Sequence, residues 1–473
     1  MENEISNYRG IETLVKKKSL ASIRLANSCP DNDSSVTDPE TEWKRRKQIQ
    51  GEKNFHRLGW KRLVVVLIVE CIALGSLSLP GAFATLGMVG GVISCIGIGL
   101  IATYASYEIG QVKLKYPEVE HYGDIGRLLI GEPGFWFVGV IFIFQILLSA
   151  GSHCLTGIIA LSTITQSDIC NVIFGLISAA ALLLLAIPPT FTDMAILGYL
   201  DTFSILSAIS ITVVATGIQS AQNQTGSSYS DWSAWPKEDV NVASAMVAIN
   251  NIVFAYSFAP AIPSFMNEMH TPKDYVKSIY GIGGFQIILY TLVGSLVYVF
   301  VGKDVQSPAL LSAGPVVARI AFGFALPVIF ISGSLNVGIV ARYIHSYIYR
   351  DSIVRYVNTV KGWITWIALI AIITISSWIL SEVIPVFSLM LSICASLLNS
   401  GLCFYGPSLM WFLLVKEGSW WSWYNIRRSS YNAFVTLFGL GILVLGMYAN
   451  VLEIIQESKK ENLPRPFSCS SIN

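Results

Sequence analysis

Eleven apolar runs, each near or above the roughly 20 residues that a helix needs to cross a bilayer, divide this 473-residue chain. They fall near residues 62–87, 88–112, 134–161, 170–189, 194–219, 241–266, 276–301, 311–347, 362–381, 383–415 and 430–452. In lipid a helix satisfies its own backbone polar groups, so the chain reads as an all-α integral membrane protein with eleven transmembrane helices. Only 13% of the residues are charged, against roughly 25% in an ordinary globular protein. The formal net charge of +1 comes without one strongly basic face, which argues against a nucleic-acid partner.

Lysine and arginine collect on the cytoplasmic side of membrane proteins. The amino-terminal segment carries Lys16, Lys17, Lys18 and the run KRRK at 44–47. Placing it inside requires every second connection to be basic. Lys113, Lys115 and Arg127 follow the second run, Lys273 and Lys277 the sixth, Arg350, Arg355 and Lys361 the eighth, and Lys416, Arg427 and Arg428 the tenth. The opposite connections hold chiefly Lys237 and Lys303, and one of them contains NQT at Asn223, a glycosylation acceptor that must face outside. Residues 1–60, which lack an apolar leader core, are expected to be a largely disordered cytoplasmic tail. Residues 61–452 form the membrane domain, and 453–473 a short extracytosolic tail. Cys71, Cys95, Cys154, Cys394 and Cys403 lie in apolar runs, where cysteine packs as a small hydrophobe. Cys170 and Cys469 could share the outer side, although spacing alone does not establish a bridge between them. No metal-ligand spacing is found, and no metal or cofactor is expected.

The first run contradicts itself. Glu70 to Gly91 reads ECIALGSLSLPGAFATLGMVGG, a membrane segment interrupted by glycine, serine and proline. A lipid-exposed break at that depth leaves backbone groups unpaired at a cost of several kcal/mol each, so it must line protein or water. The sixth run supplies a second interruption, NNIVFAYSFAPAIPSF, with Pro260 and Pro263 in mid-span. Two breaks five helices apart fit an inverted five-plus-five repeat with helices one and six discontinuous and a ligand held between them. The plainer reading is a packed proline kink at each position.

In the repeat reading the first helix runs outward, so free amides near Leu79 face a carboxylate, surrounded by Gly75, Ser76, Leu77, Ser78 and Gly81. The sixth runs inward, and past Tyr256 the carbonyls of Phe254, Ala255 and Ser257 face an ammonium. Opposed half-helix ends describe a zwitterion site, whose natural occupant is a free amino acid. Phe254 and Phe258 are candidate walls for its side chain, with Gln145, Ser149 and Asn336 as further contacts. Aromatic spacing of this kind also serves plain packing.

Three stretches resemble the amino acid/auxin permease family of the APC superfamily, and more narrowly its fungal neutral amino acid permeases: LGSLSLPGAFATLGMVGG, ASYEIGQVKLKYPEVEHYGDIGRLLIG and FAYSFAPAIPSFMNEMHTPKDY. The likeness covers roughly residues 60–450. It implies a leucine-transporter-type fold with eleven helices, and secondary active import of neutral aliphatic and aromatic amino acids by proton symport. It carries over as binding candidates only positions in the two interruptions and supplies no proton-carrying residue.

That residue is argued from charge inside the membrane, where ionisable side chains are functional candidates. Glu70 and Asp201 are the candidates, because desolvation disfavours their charged forms and suits them to carry a proton. Glu70 has a second reading, a structural ion pair at an inner gate. Glu108 is expected to reach water at the inner end of the second run, His153 to be a packing or pocket residue, and Arg319 to snorkel outward. A sodium-coupled version would place the cation at Ser332 and Ser334, whose hydroxyls are hard ligands. A membrane enzyme would need clustered nucleophile and base groups, which the sequence does not offer, so no enzyme is expected. A non-transporting amino acid sensor would use the same site. The expected partners are a small amino acid and the bilayer, with no obligate protein partner. The expected location is the plasma membrane with the amino terminus in the cytoplasm, the vacuolar membrane being the alternative.

Overall fold

The computed structural model describes residues 39–55, 58–167, 169–224, 231–236, 240–350, 352–459, 466, 467 and 469. The chain divides into two units, residues 1–49 and 50–473. Of the first, residues 39–49 are described and belong to helix α1 (Pro39–Phe55), an element absent from the reading of that tail as largely disordered.

The second unit is built of helices: α2 (Trp60–Lys115), α3 (Tyr122–Ile130), α4 (Glu132–Thr165), α5 (Asn171–Leu185), α6 (Phe191–Gln224), α7 (Val242–Ala255), α8 (Ile262–Asn267), α9 (Tyr275–Val301), α10 (Pro315–Ile348), α11 (Val360–Val383), α12 (Phe387–Cys394), α13 (Gly406–Met410) and α14 (Ile426–Lys459). Among the described residues nine helical spans are long and apolar enough to cross a membrane, and α5 is a shorter apolar helix.

Helix α2 folds back on itself. Its 56 residues would stretch about 84 Å if straight, far beyond a bilayer. Gly87 interrupts it with φ +73°, a conformation that glycine adopts without a Cβ penalty. A Cβ there would also stand 2.5 Å from the Trp235 carbonyl carbon. Met88 and Val89 donate their amides to the carbonyls of Ser233 and Ala234 instead of to the preceding turn. Gly75 and Gly99, each 12 residues from Gly87, abut neighbouring residues of one place, Ala255 and Tyr290 for the first, Tyr256 and Ile287 for the second. A straight helix would hold them about 36 Å apart. Residues 60–86 and 88–115 are therefore the two arms of a hairpin.

The sixth run breaks as its prolines require. Pro260 and Pro263 cannot donate to the carbonyls four residues earlier, so no helix runs through both. Helix α7 follows Asn241, which caps it by accepting from the Ser244 amide at 2.7 Å, and ends at Ala255. A 3-10 turn, Ala259–Ala261, and α8 follow, each with a proline in its first turn, where the missing N–H costs nothing.

Contacts between connections sort the helix ends into two sets. At one end Leu58 pairs with Glu268 and His270 through its backbone, Glu120 pairs with Arg355, and Arg428 with Glu108 at 2.6 Å. At the other end Gln219 donates to the Ala313 carbonyl at 2.7 Å, Asp231 lies 3.7 Å from Lys303, and a disulfide joins Cys170 to Cys469 with their Cα atoms 4.5 Å apart. Sequence spacing had left that bridge open. Asn223 lies in the last turn of α6, while Thr225 of its acceptor triplet lies outside the described residues.

Candidate functional site

The interruption expected in the first run is not a break. Residues 60–86 are helical through Gly75, Ser78 and Pro80. Sequence reasoning treated the small residues as helix breakers, but their use is close packing. A Cβ on Gly75 would lie 2.6 Å from the Tyr290 hydroxyl and 2.9 Å from the Ala255 Cβ, so only glycine lets this helix approach the end of α7. The serine hydroxyls turn back onto their own helix, Ser76 to the Ile72 carbonyl at 2.7 Å and Ser78 to that of Gly75 at 3.0 Å, as serines in apolar helices do. The half-helix amino terminus placed at Leu79 is thus not formed. Leu77 is buried in the core, and Gly81 faces Ser307.

The sixth-run break is real, but its carbonyls are partly engaged. That of Phe254 accepts from the Ser257 amide at 3.1 Å and hydroxyl at 2.6 Å. That of Ala255 accepts from the Tyr290 hydroxyl at 3.2 Å. It also accepts from Gln286 Nε2 at 3.5 Å, so the two lone pairs of each of these carbonyls are taken. Tyr256 is buried against the Cys95 thiol at 3.3 Å and the Tyr290 ring, and Phe258 is buried in the core.

Beside this break lies a small, largely enclosed pocket, with room for about one water molecule in this conformation. It is lined by Glu70, Cys71 and Leu74 of α2, Gln145, Ser149 and His153 of α4, and Phe254 and Ser257 at the end of α7. Three separate elements thus place at one spot residues singled out individually in the sequence. Glu70 Oε2, Gln145 Oε1 and His153 Nδ1 have no hydrogen-bond partner among the described residues. A carboxylate and a carboxamide oxygen are acceptors, which suits a cationic group entering the cavity. Cys71 and Leu74 were missed, yet they stand one and four residues after Glu70, and the four-residue spacing places Leu74 on the face Glu70 occupies.

Asp201 and Ser332 meet outside this lining. The Ser332 hydroxyl donates to Asp201 Oδ1 at 3.0 Å, while Oδ2 has no partner among the described residues. The two candidates for opposite coupling ions are therefore one hydrogen-bonded pair between α6 and α10. Ser334 is turned to the Ile331 carbonyl at 2.7 Å, and Asn336 to that of Ser332 at 3.2 Å. Glu108 does not reach water as expected: it is fully buried and held by Arg428, because α14 covers that end of the 88–115 arm.

At the end that holds Leu58, a second polar cluster was invisible in the sequence. His121 Nδ1 lies 2.8 Å from the Ser264 hydroxyl of α8, and Lys113 donates to the Pro117 carbonyl at 2.9 Å. Burial, aided by Arg355, Arg342 and Lys113, pushes the His121 imidazole from its usual 6.5 down to about 3. The ring is neutral at physiological pH.

The chain matches the family described as transmembrane amino acid transporter protein over residues 56–452. It is 50% identical to the N amino acid transport system protein of Neurospora crassa over 425 residues, covering 89% of this chain and 90% of that protein. It is 26% identical to a transmembrane transporter of Fusarium pseudograminearum, covering 88% of each. Among solved structures it resembles Mhp1, a nucleobase-cation-symport-1 family transporter in a closed conformation with bromovinylhydantoin bound. The TM-score is 0.54 and the identity 15%, over 88% of this chain and 95% of the other.

Proposed function

Because the chain belongs to the transmembrane amino acid transporter family, we propose that it imports neutral aliphatic and aromatic amino acids by proton symport through alternating access. The observation that carries this reading is the cavity that joins Glu70, Gln145, Ser149 and His153 to the broken sixth helix. We assign the ammonium to Glu70 and the Ser257 carbonyl at the break, the side chain to Phe254 and Phe258, and the wall along which the substrate passes to Gly75, Ser76, Leu77, Ser78 and Gly81, with Ala255, Tyr256 and Ser257 opposite.

The same reading takes the α2 hairpin as two crossings and the whole as eleven, arranged as a leucine-transporter-type inverted repeat. It keeps residues 1–60 as a cytoplasmic tail, 453–473 outside, and the plasma membrane as the location. Asp201 is the favoured proton carrier: Ser332 supports one of its oxygens and leaves the other to take a proton. Glu70 is then the substrate's counter-charge. Sodium coupling has one supporting feature, the same carboxylate and hydroxyl, which are hard oxygen ligands.

Uptake of labelled leucine and phenylalanine into proteoliposomes, with proton and sodium gradients imposed separately, tests this. Accumulation driven by outside acid without sodium is expected, and Asp201→Asn should abolish its pH dependence while leaving exchange of bound substrate. Accumulation that needs sodium would transfer the coupling to the Asp201–Ser332 pair as a sodium site. Binding without accumulation under either gradient would make the protein a sensor.

A further inference from the structure

The connection from Lys416 to Phe434, KEGSWWSWYNIRRSSYNAF, takes no part in the transport site, yet it is a built structure. Gly418 turns it with φ +74°. Asn425 Nδ2 donates to the carbonyls of Glu417 at 2.8 Å and Ser419 at 3.0 Å, and the Ser429 hydroxyl to that of Trp420 at 2.9 Å. This fixed loop holds its aromatic side chains outward: Trp421 is 67% exposed, Trp423 94% and Tyr424 86%.

Beside it runs an open groove of about 930 Å³, lined by Tyr104 of the 88–115 arm and by Tyr424, Arg427, Arg428, Tyr431 and Phe434. Arg428 is committed to Glu108. Arg427 is exposed and forms no ion pair among the described residues. Behind it the Tyr104 and Tyr431 rings meet edge to face at 4.5 Å. The wall then continues into Phe434 and Leu437, which are 54% and 70% exposed on a membrane-crossing helix. Glu417, the loop's acidic residue, is also exposed and is not part of the lining.

We propose that this groove binds one anionic phospholipid, its phosphate head at Arg427 with the Tyr424 hydroxyl, its acyl chain along Tyr431, Phe434 and Leu437. The charge complementarity lies in a guanidinium without an internal counter-ion at the mouth. The aromatic neck and lipid-facing wall specify an acyl chain, which a free phosphate would leave unused. In the orientation proposed above, on which this choice of leaflet rests, the groove opens to the cytoplasmic leaflet, where anionic headgroups concentrate.

The test uses the full-length protein in detergent, so it does not depend on orientation or on transport. Native mass spectrometry after addition of phosphatidylserine or phosphatidylcholine is expected to show a retained phosphatidylserine adduct and little phosphatidylcholine. Arg427→Gln should weaken that retention about tenfold, the loss of one charge-assisted contact, and Tyr424→Ala should weaken it less. Arg350→Gln, which removes an exposed charge of the same sign outside the groove, should leave it unchanged. Equal retention of both lipids, an equal effect of Arg350→Gln, or displacement of the adduct by inorganic phosphate would overturn the proposal.

Discussion

Asn399 sits fully buried in the π-helical stretch Ala395–Tyr405 that follows α12. Among the described residues it is the one side chain whose buried donor and acceptor both lack a partner. Each such group costs about 1–3 kcal/mol, and π turns concentrate at functional positions. The near-isosteric Asn399→Leu is expected to raise the unfolding temperature of the purified protein; a lower temperature would mean that the carboxamide is engaged in holding the helices together. His121 gives a pH prediction. Its imidazole titrates near 3 in the folded chain and near 6.5 when unfolded. Above 6.5 both states are neutral and stability is unaffected. As pH falls from 6.5 toward 3 only the unfolded state takes the proton, so stability is lost at up to about 1.4 kcal/mol per unit. Thermal unfolding at pH 7 and pH 5 should show a drop that His121→Gln reduces. At this scale the sequence exposed Glu70, Gln145, Ser149 and His153, because polar groups in apolar runs stand out. It hid Cys71 and Leu74, which look like any other membrane residue.

Among the elements, the two interruptions behaved differently for a reason that can be measured. Pro260 and Pro263 deny hydrogen bonds to two successive turns, while the first run has Pro80 alone, and its glycines and serines serve packing. Gly75→Ala should therefore act by overpacking, since its Cβ would meet Tyr290 and Ala255 below 3.0 Å, and should destabilise by roughly 1–3 kcal/mol. Gly97→Ala, with nothing within 4 Å, should be neutral or stabilise by up to about 1 kcal/mol through helix propensity. Paired thermal unfolding of the two variants checks this. Equal effects would remove close approach as the reason for glycine at position 75.

For the whole molecule, the disulfide from Cys170 to Cys469 spans 299 residues of sequence and ties the carboxyl-terminal tail to the entry of α5, with Phe467 edge-on to Trp378 of α11. Peptide mapping without reductant should recover the linked peptides. Cys170→Ser should lower the unfolding temperature, since bridges of this kind contribute about 2–5 kcal/mol; recovery of both thiols free would place them in a reducing compartment. The sequence by itself determined that this is a helical membrane protein, which runs are long and apolar, and which connections share an end. Those properties follow from run length and charge, and lipid enforces them on any chain. The tertiary structure alone decided that the first helix continues through Gly75 and Gly81, that Glu108 is sealed by Arg428, and that Asp201 meets Ser332. Each of these depends on which faces of distant helices touch, and residues 131 or 320 positions apart leave no periodic trace in a run that is apolar all round.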